Sequence, residues 1–115
     1  MDQDRPEKPE PPYYAVIFTS QKSGEDSEGY AQAAERMDAL ARTMPGFLGF
    51  DSVGSETGLG ITVSYWLSEE DIARWRAHPE HVAAIGSGRA GWYSWYESTT
   101  AKVERSVSHM LPKAK

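Results

Sequence analysis

Apolar and polar positions alternate along Leu59–Trp66, where Ile61, Val63 and Tyr65 interleave with Gly60, Thr62 and Ser64. A period of two is the pattern of a strand with one buried face. Phe47–Val53 is a second strand-like run, and the Gly-rich connection between them (Gly54, Gly58, Gly60) predicts a β-hairpin. The period then changes. Ser68 with Asp71 has the form of a helix N-cap and its reciprocal partner, and Ile72 and Trp75 follow at helical spacing. Pro79 interrupts this helix after His78. Glu80–Ile85 has room for a further turn or two before Gly86, Gly88 and Gly91 loosen the backbone.

Upstream, Tyr13–Ser20 is a continuous apolar run dense in aromatic and β-branched residues, so it predicts a central strand. Gln21–Gly29 reads as a loop. From Tyr30 the apolar positions fall at Ala33, Ala34, Met37, Leu40, Ala41 and Met44, one stripe of an amphipathic helix that Pro45-Gly46 stops. In Tyr93–Ser106, Trp95, Tyr96 and Val103 sit among polar residues, and the second part predicts a strand with one wet face. The order β-α-β-β-α-β folds, through right-handed crossovers, into a four-stranded antiparallel sheet with helices on one face. This is the α+β, ferredoxin-like arrangement. The opposite face needs cover, and a second copy of the chain supplies it, so a homodimer is expected. Tyr13 and Tyr14 face opposite sides of the first strand, one toward the helices and one toward the partner.

Composition narrows the function classes. At 115 residues the chain makes one domain, expected over residues 13–107. Residues 1–12 hold four prolines and six charges with nothing apolar after the initiator, which predicts a disordered tail. Residues 108–115 predict a second tail, although Met110 and Leu111 suit docking on a partner. The absence of cysteine removes disulfides, thiolate catalysis and Cys-ligated metals. A formal net charge of −5 argues against nucleic acid as partner. No apolar run approaches the roughly 20 residues that span a bilayer, and no signal-peptide core opens the chain. A cytoplasmic protein with no membrane partner is the expectation.

Three stretches, PGFLGFDS, GLGITVSYWLSEEDIARWRAHPEH and GRAGWYSWY, resemble the antibiotic biosynthesis monooxygenase family of the dimeric α+β barrel superfamily. The resemblance covers roughly Tyr13–Val107. It implies a pocket between sheet and helices in each subunit of a dimer. It also implies oxidation there of an aromatic polyketide, phenol or quinol by dioxygen, with no metal, flavin or other cofactor. Such chemistry asks the protein to exclude water, stack the rings and hold an oxyanion by hydrogen bonds. Other relatives degrade haem with an Asn on the first strand, a Trp on a helix and a His beyond it. Trp75 matches the Trp, but the chain has no Asn and Ile85 stands at the His position. The oxyanion role that some oxygenases of the family give to Asn must pass to Tyr, Trp, Ser or His, or be absent.

The candidate catalytic residues are Trp66, His78 and His81. Trp66 offers an indole N–H at a strand end, or alternatively packs at a sheet edge. His78 and His81 can share one helical face and titrate near neutrality, which suits phenol deprotonation, or they are surface residues of a helix end. Two His alone make a weak metal site, and no metal is expected. Candidate substrate-binding residues are Tyr14, Phe18, Tyr65, Trp75, Trp92 and Tyr96. Trp75 equally suits core packing, and the Trp92–Tyr96 cluster equally suits the dimer centre. Glu69 and Glu70 read as a solvated first turn, and the glycines near Gly58 as a turn, since no phosphate-loop Lys-Ser/Thr follows. A binding module of the same fold without catalysis and a haem binder are the competing readings.

Overall fold

The computed structural model describes residues 7–109 and 111–112. The proposed docking of Met110 lies outside the described residues. Four strands, β1 (Tyr13–Lys22), β2 (Phe47–Gly54), β3 (Leu59–Trp66) and β4 (Tyr93–Val103), form one sheet in the order β2-β3-β1-β4. All neighbours are antiparallel. Helix α1 (Ser27–Ala41) links β1 to β2. Helices α2 (Glu69–Ala77) and α3 (Pro79–Ser87), with a π-helical turn Gly88–Trp92, link β3 to β4. The ferredoxin-like α+β arrangement read from the sequence is the fold observed.

Boundaries differ where side chains cap the backbone. Helix α1 begins three residues before Tyr30, because Asp26 caps it in a left-handed conformation (φ 50) and its Oδ1 accepts from Gly29 N–H at 3.2 Å. A Cβ at position 29 would lie 2.2 Å from Asp26 Oδ2, so glycine is required there. Ser68 caps α2 as expected, accepting from Asp71 N–H at 3.1 Å. His78 then ends α2 and caps α3, its Nδ1 accepting from Glu80 N–H at 3.1 Å. Pro79 sits at the first turn of α3, where its missing N–H costs nothing, and α3 runs to Ser87 rather than a turn or two. Strand β4 starts at Tyr93 itself.

The core is small and divided between the two faces of the sheet, with Trp66 and Ile72 on the helix side and Tyr13 and Ala15 buried on the other. Trp66 is fully buried (0% exposed), with Ile72 and Ala41 beside it in the buried set. A buried indole removes on the order of 200 Å² from water, worth about 5 kcal/mol at roughly 25 cal/mol/Å². By contrast, the α1 stripe of Tyr30, Ala33, Met37 and Leu40 is only half-buried. Helix α1 does not close fully onto the sheet.

Candidate functional site

Cross-strand register assigns every strand residue to a face, because directly opposed residues in an antiparallel pair point the same way. Trp66 stacks on Trp75 of α2 (centroids 6.1 Å), so its face is the one the helices cover. Along β1 that face carries Tyr14, Val16, Phe18, Ser20 and Lys22. Opposite them on β3 stand Trp66, Ser64, Thr62 and Gly60. Strand β4 contributes Thr100, Ser98, Tyr96 and Tyr93, and β2 contributes Phe47, Phe50 and Ser52.

The polar half of the Leu59–Trp66 alternation therefore faces the helices. Ile61, Val63 and Tyr65, the apolar half, face away. The helix-free face also carries Val53 (69% exposed), Leu59, Ile61 and Trp95 as exposed apolar side chains. Tyr65 packs there against Tyr13 (6.2 Å, edge-on), its hydroxyl donates to Asp51 Oδ2 at 3.1 Å, and Lys8 Nζ lies 4.2 Å above its ring. Tyr65 is thus on the other side of the sheet from the remaining candidates.

On the helix side, two aromatic walls rise from the sheet. The first joins Phe47, Trp66, Trp75, His78 and His81, with Phe47–Trp66 at 5.3 Å and Trp75–His81 at 4.6 Å. Trp66 ends β3, an inner strand, and is fully buried rather than packed at a sheet edge. Its Nε1 donates to Ser64 Oγ at 3.0 Å, and Tyr14 stands opposite it in register. The second wall joins Phe18, Tyr30, Trp92, Tyr93 and Tyr96. Phe18 stacks on Tyr96 at 5.4 Å, Tyr93 meets Tyr30 at 5.9 Å and Tyr96 at 5.8 Å, and Tyr30 meets Trp92 at 5.9 Å. Between the walls lies a floor of Val16, Ser64, Thr62 and Ser52, with Ser52 and Thr62 hydroxyls 2.9 Å apart. From Tyr14 to Phe18 the floor spans four residue steps, about 14 Å at roughly 3.4 Å per residue.

Burial, then the neighbouring Tyr30 and Tyr96 hydroxyls, hold the Tyr93 phenol well above its ordinary range. It remains a neutral hydrogen-bond donor at any physiological pH. Burial likewise pushes His81 below the ordinary imidazole value, outweighing a hydrogen bond to the Arg76 carbonyl, while Arg76 and His78 add unfavourable charge. Neutral His81, with one nitrogen bonded to that carbonyl, keeps a lone pair on the other. Outside the walls, a recess of about 350 Å³ between α2 and β4 is lined by Glu69, Glu70, Ile72, Ala73, Arg76 and Thr100. Among the described residues, no three His, Cys, Asp or Glu side chains converge as metal ligands.

The sequence reading named Trp66, Trp75, His78 and His81, which meet in one wall, and Phe18, Trp92 and Tyr96, which meet in the other. Tyr93 of the Trp92–Tyr96 cluster joins the second wall, whereas Tyr30 and the hydroxyl floor were not among the candidates. Serine and threonine on a strand face turned toward helices were the available signal, since a packed core has little use for them.

The chain matches the model of a family described as Antibiotic biosynthesis monooxygenase over residues 12–87. It is 57% identical over 97 residues to the uncharacterized protein YqjZ of Bacillus subtilis (strain 168), covering 84% of each chain. Among solved structures it is similar to SnoaB, a cofactor-independent oxygenase from Streptomyces nogalater, with TM-score 0.72 and 14% identity over 86% of this chain and all of that one. It is also similar to Rv0793 from Mycobacterium tuberculosis, with TM-score 0.73 and 14% identity over 84% of this chain and 99% of that one. At such identities the two structures share the fold.

Because His81 is harder to protonate in the folded chain, the unfolded chain binds more protons between the folded value and about 6.5, so stability rises with pH through that window. NMR titration should give His81 a value below 6.5. Urea unfolding should show stability falling from about pH 7 toward about pH 5, less steeply in His81→Gln. An unshifted titration with parallel profiles contradicts the assignment.

Proposed function

The chain belongs to the antibiotic biosynthesis monooxygenase family, and from that premise we propose that it is a cofactor-independent monooxygenase acting with dioxygen on a phenolic or quinol aromatic substrate. The observation that carries this reading is the hydroxyl floor between two aromatic walls, with Tyr93 held protonated against Phe18 in the second wall. SnoaB, an oxygenase by its description, has the same fold.

In this reading the rings lie on Val16, Ser64 and Thr62, flanked by Trp75, which Trp66 backs, on one side and by Phe18 and Tyr96 on the other. His81 takes a substrate proton. The delocalised anion passes one electron to dioxygen, and the resulting radical and superoxide combine to form a C–O bond. After protonation the hydroperoxide loses water, leaving a carbonyl. One oxygen atom ends in the product and the other in water. Tyr93 donates to the oxyanion, the part that Asn takes in some relatives and that no Asn takes here. Expulsion of water strengthens that hydrogen bond and protects the anion from quenching. The apolar, helix-free face is covered by a second copy, giving a homodimer. A binder without catalysis is the competing reading, favoured by the missing Asn, because stacking surface suffices for binding.

Oxygen uptake by chelator-treated protein with anthrones, naphthols and quinols, each set against its own autoxidation, separates the two. Enzyme-dependent uptake is expected, and Tyr93→Phe should lower kcat on the order of a hundredfold, as loss of one oxyanion donor does. No uptake above autoxidation with any substrate rejects the oxygenase. Sedimentation should give a dimer that Ile61→Asp converts to monomer, and a monomeric wild type rejects the assembly.

A further inference from the structure

The second wall ends in two cations that pair with no carboxylate among the described residues. The other arginines of the helical layer are engaged. Arg36 grips Glu80 through two hydrogen bonds (2.6 and 2.8 Å), Arg42 pairs with Asp38, Arg74 with Asp71, and Arg76 donates to Thr100. Arg89 instead donates from Nε to the Tyr96 hydroxyl at 2.7 Å. Lys22 holds its Nζ 4.8 Å from the centre of the Tyr30 ring. Both cations are exposed, and what sets them apart is that the rings they meet, Tyr30 and Tyr96, both pack on Tyr93 (5.9 and 5.8 Å).

The backbone brings them to one place. Lys22 is opposite Tyr93 in register, at the irregularity that ends the β1–β4 ladder. The next residue, Ser23, donates its N–H to the Trp92 carbonyl at 2.9 Å and its hydroxyl to the Gly91 carbonyl. Arg89 therefore sits on a π-helical turn tied to the end of β1, and such turns recur at functional sites. Gly88 is pressed against Tyr93, where a Cβ would stand 2.7 Å from the ring, so the turn seats closely on the wall. The nearby acids do not neutralise the pair. Asp26 spends Oδ1 on Gly29 N–H and Oδ2 on Trp92 Nε1 (3.1 Å), and Glu25 lies beside Gly91 without an ion pair to either cation.

We infer that this pocket selects an aromatic substrate carrying a carboxylate, with Arg89 and Lys22 as the clasp for that group at the end of the Phe18–Tyr93–Tyr96 wall. With Nε spent on Tyr96, the terminal nitrogens of Arg89 remain to meet a carboxylate in fork geometry, and Lys22 adds a point charge. This inference rests on the pocket reading above and specifies its substrate class.

Isothermal titration of the full chain with hydroxynaphthoate and with naphthol tests it. The carboxylated ligand should bind at least about tenfold more tightly, the size of one charge-assisted hydrogen bond, with an advantage that shrinks as salt rises. Arg89→Gln with Lys22→Gln should abolish that preference while leaving naphthol affinity within about threefold, and Arg89→Lys should restore part of it. Equal affinities for the two ligands, or a preference that survives the double variant, overturn the clasp and leave the pocket standing. Failure of both ligands to bind the wild type overturns the pocket and the clasp together.

Discussion

A strand alternates its side chains across the sheet, so each β-residue is committed to one face. That constraint organises this protein, because its two faces carry different sets of side chains. The side under the helices carries Ser64, Thr62 and Ser52, while the bare side carries Ile61, Val63, Val53 and Trp95. Helices cover the face that bears the aromatic walls and the hydroxyl floor, while Val53, Ile61 and Trp95 stay exposed on the face without helices. A register slip of one residue would exchange the two sets.

Short polar contacts hold the walls in place around that sheet. Asp26 joins the α1 cap to the Trp92 indole, so the helix start and the turn before β4 cannot move independently. At the opposite end, Gly46 adopts φ +79 where a Cβ would stand 2.0 Å from Asp71 Oδ2, which lets the chain pass the α2 cap closely. The Arg36–Glu80 bond ties α1 to α3 at the surface. Arg36 in turn holds the Glu80 carboxyl below its ordinary range. These contacts bear on geometry more than on stability, since exposed ion pairs contribute little.

The element order and hairpin were legible in the sequence because local signals agreed: Ser68 with Asp71, Pro45-Gly46, and the change of period after Trp66. The start of α1 was less so, since a left-handed Asp26 cap leaves only a weak trace. The site was legible in part. Trp66, Trp75 and His81 come together, as do Phe18 and Tyr96, because their residue types and positions suggested a pocket. Alternation reveals that a strand has two faces but not which one the helices take. Ile61, Val63 and Tyr65 are the apolar half of that alternation, and register with Trp66 puts all three, the candidate Tyr65 included, on the helix-free face. Tyr93 stands in the Trp92–Tyr96 cluster that the sequence singles out, but its contacts with Tyr30 and Phe18, both far away in sequence, were not legible there.

The central claim is that ligand lies on the hydroxyl floor beneath the helices rather than on the apolar face. Methyl-labelled protein titrated with naphthol, followed by intermolecular NOE measurement, reads this directly. Contacts from the naphthol ring protons to the Val16 and Thr62 methyls, with none to Ile61 or Val63, are the predicted result. Contacts confined to Ile61 and Val63 would contradict it.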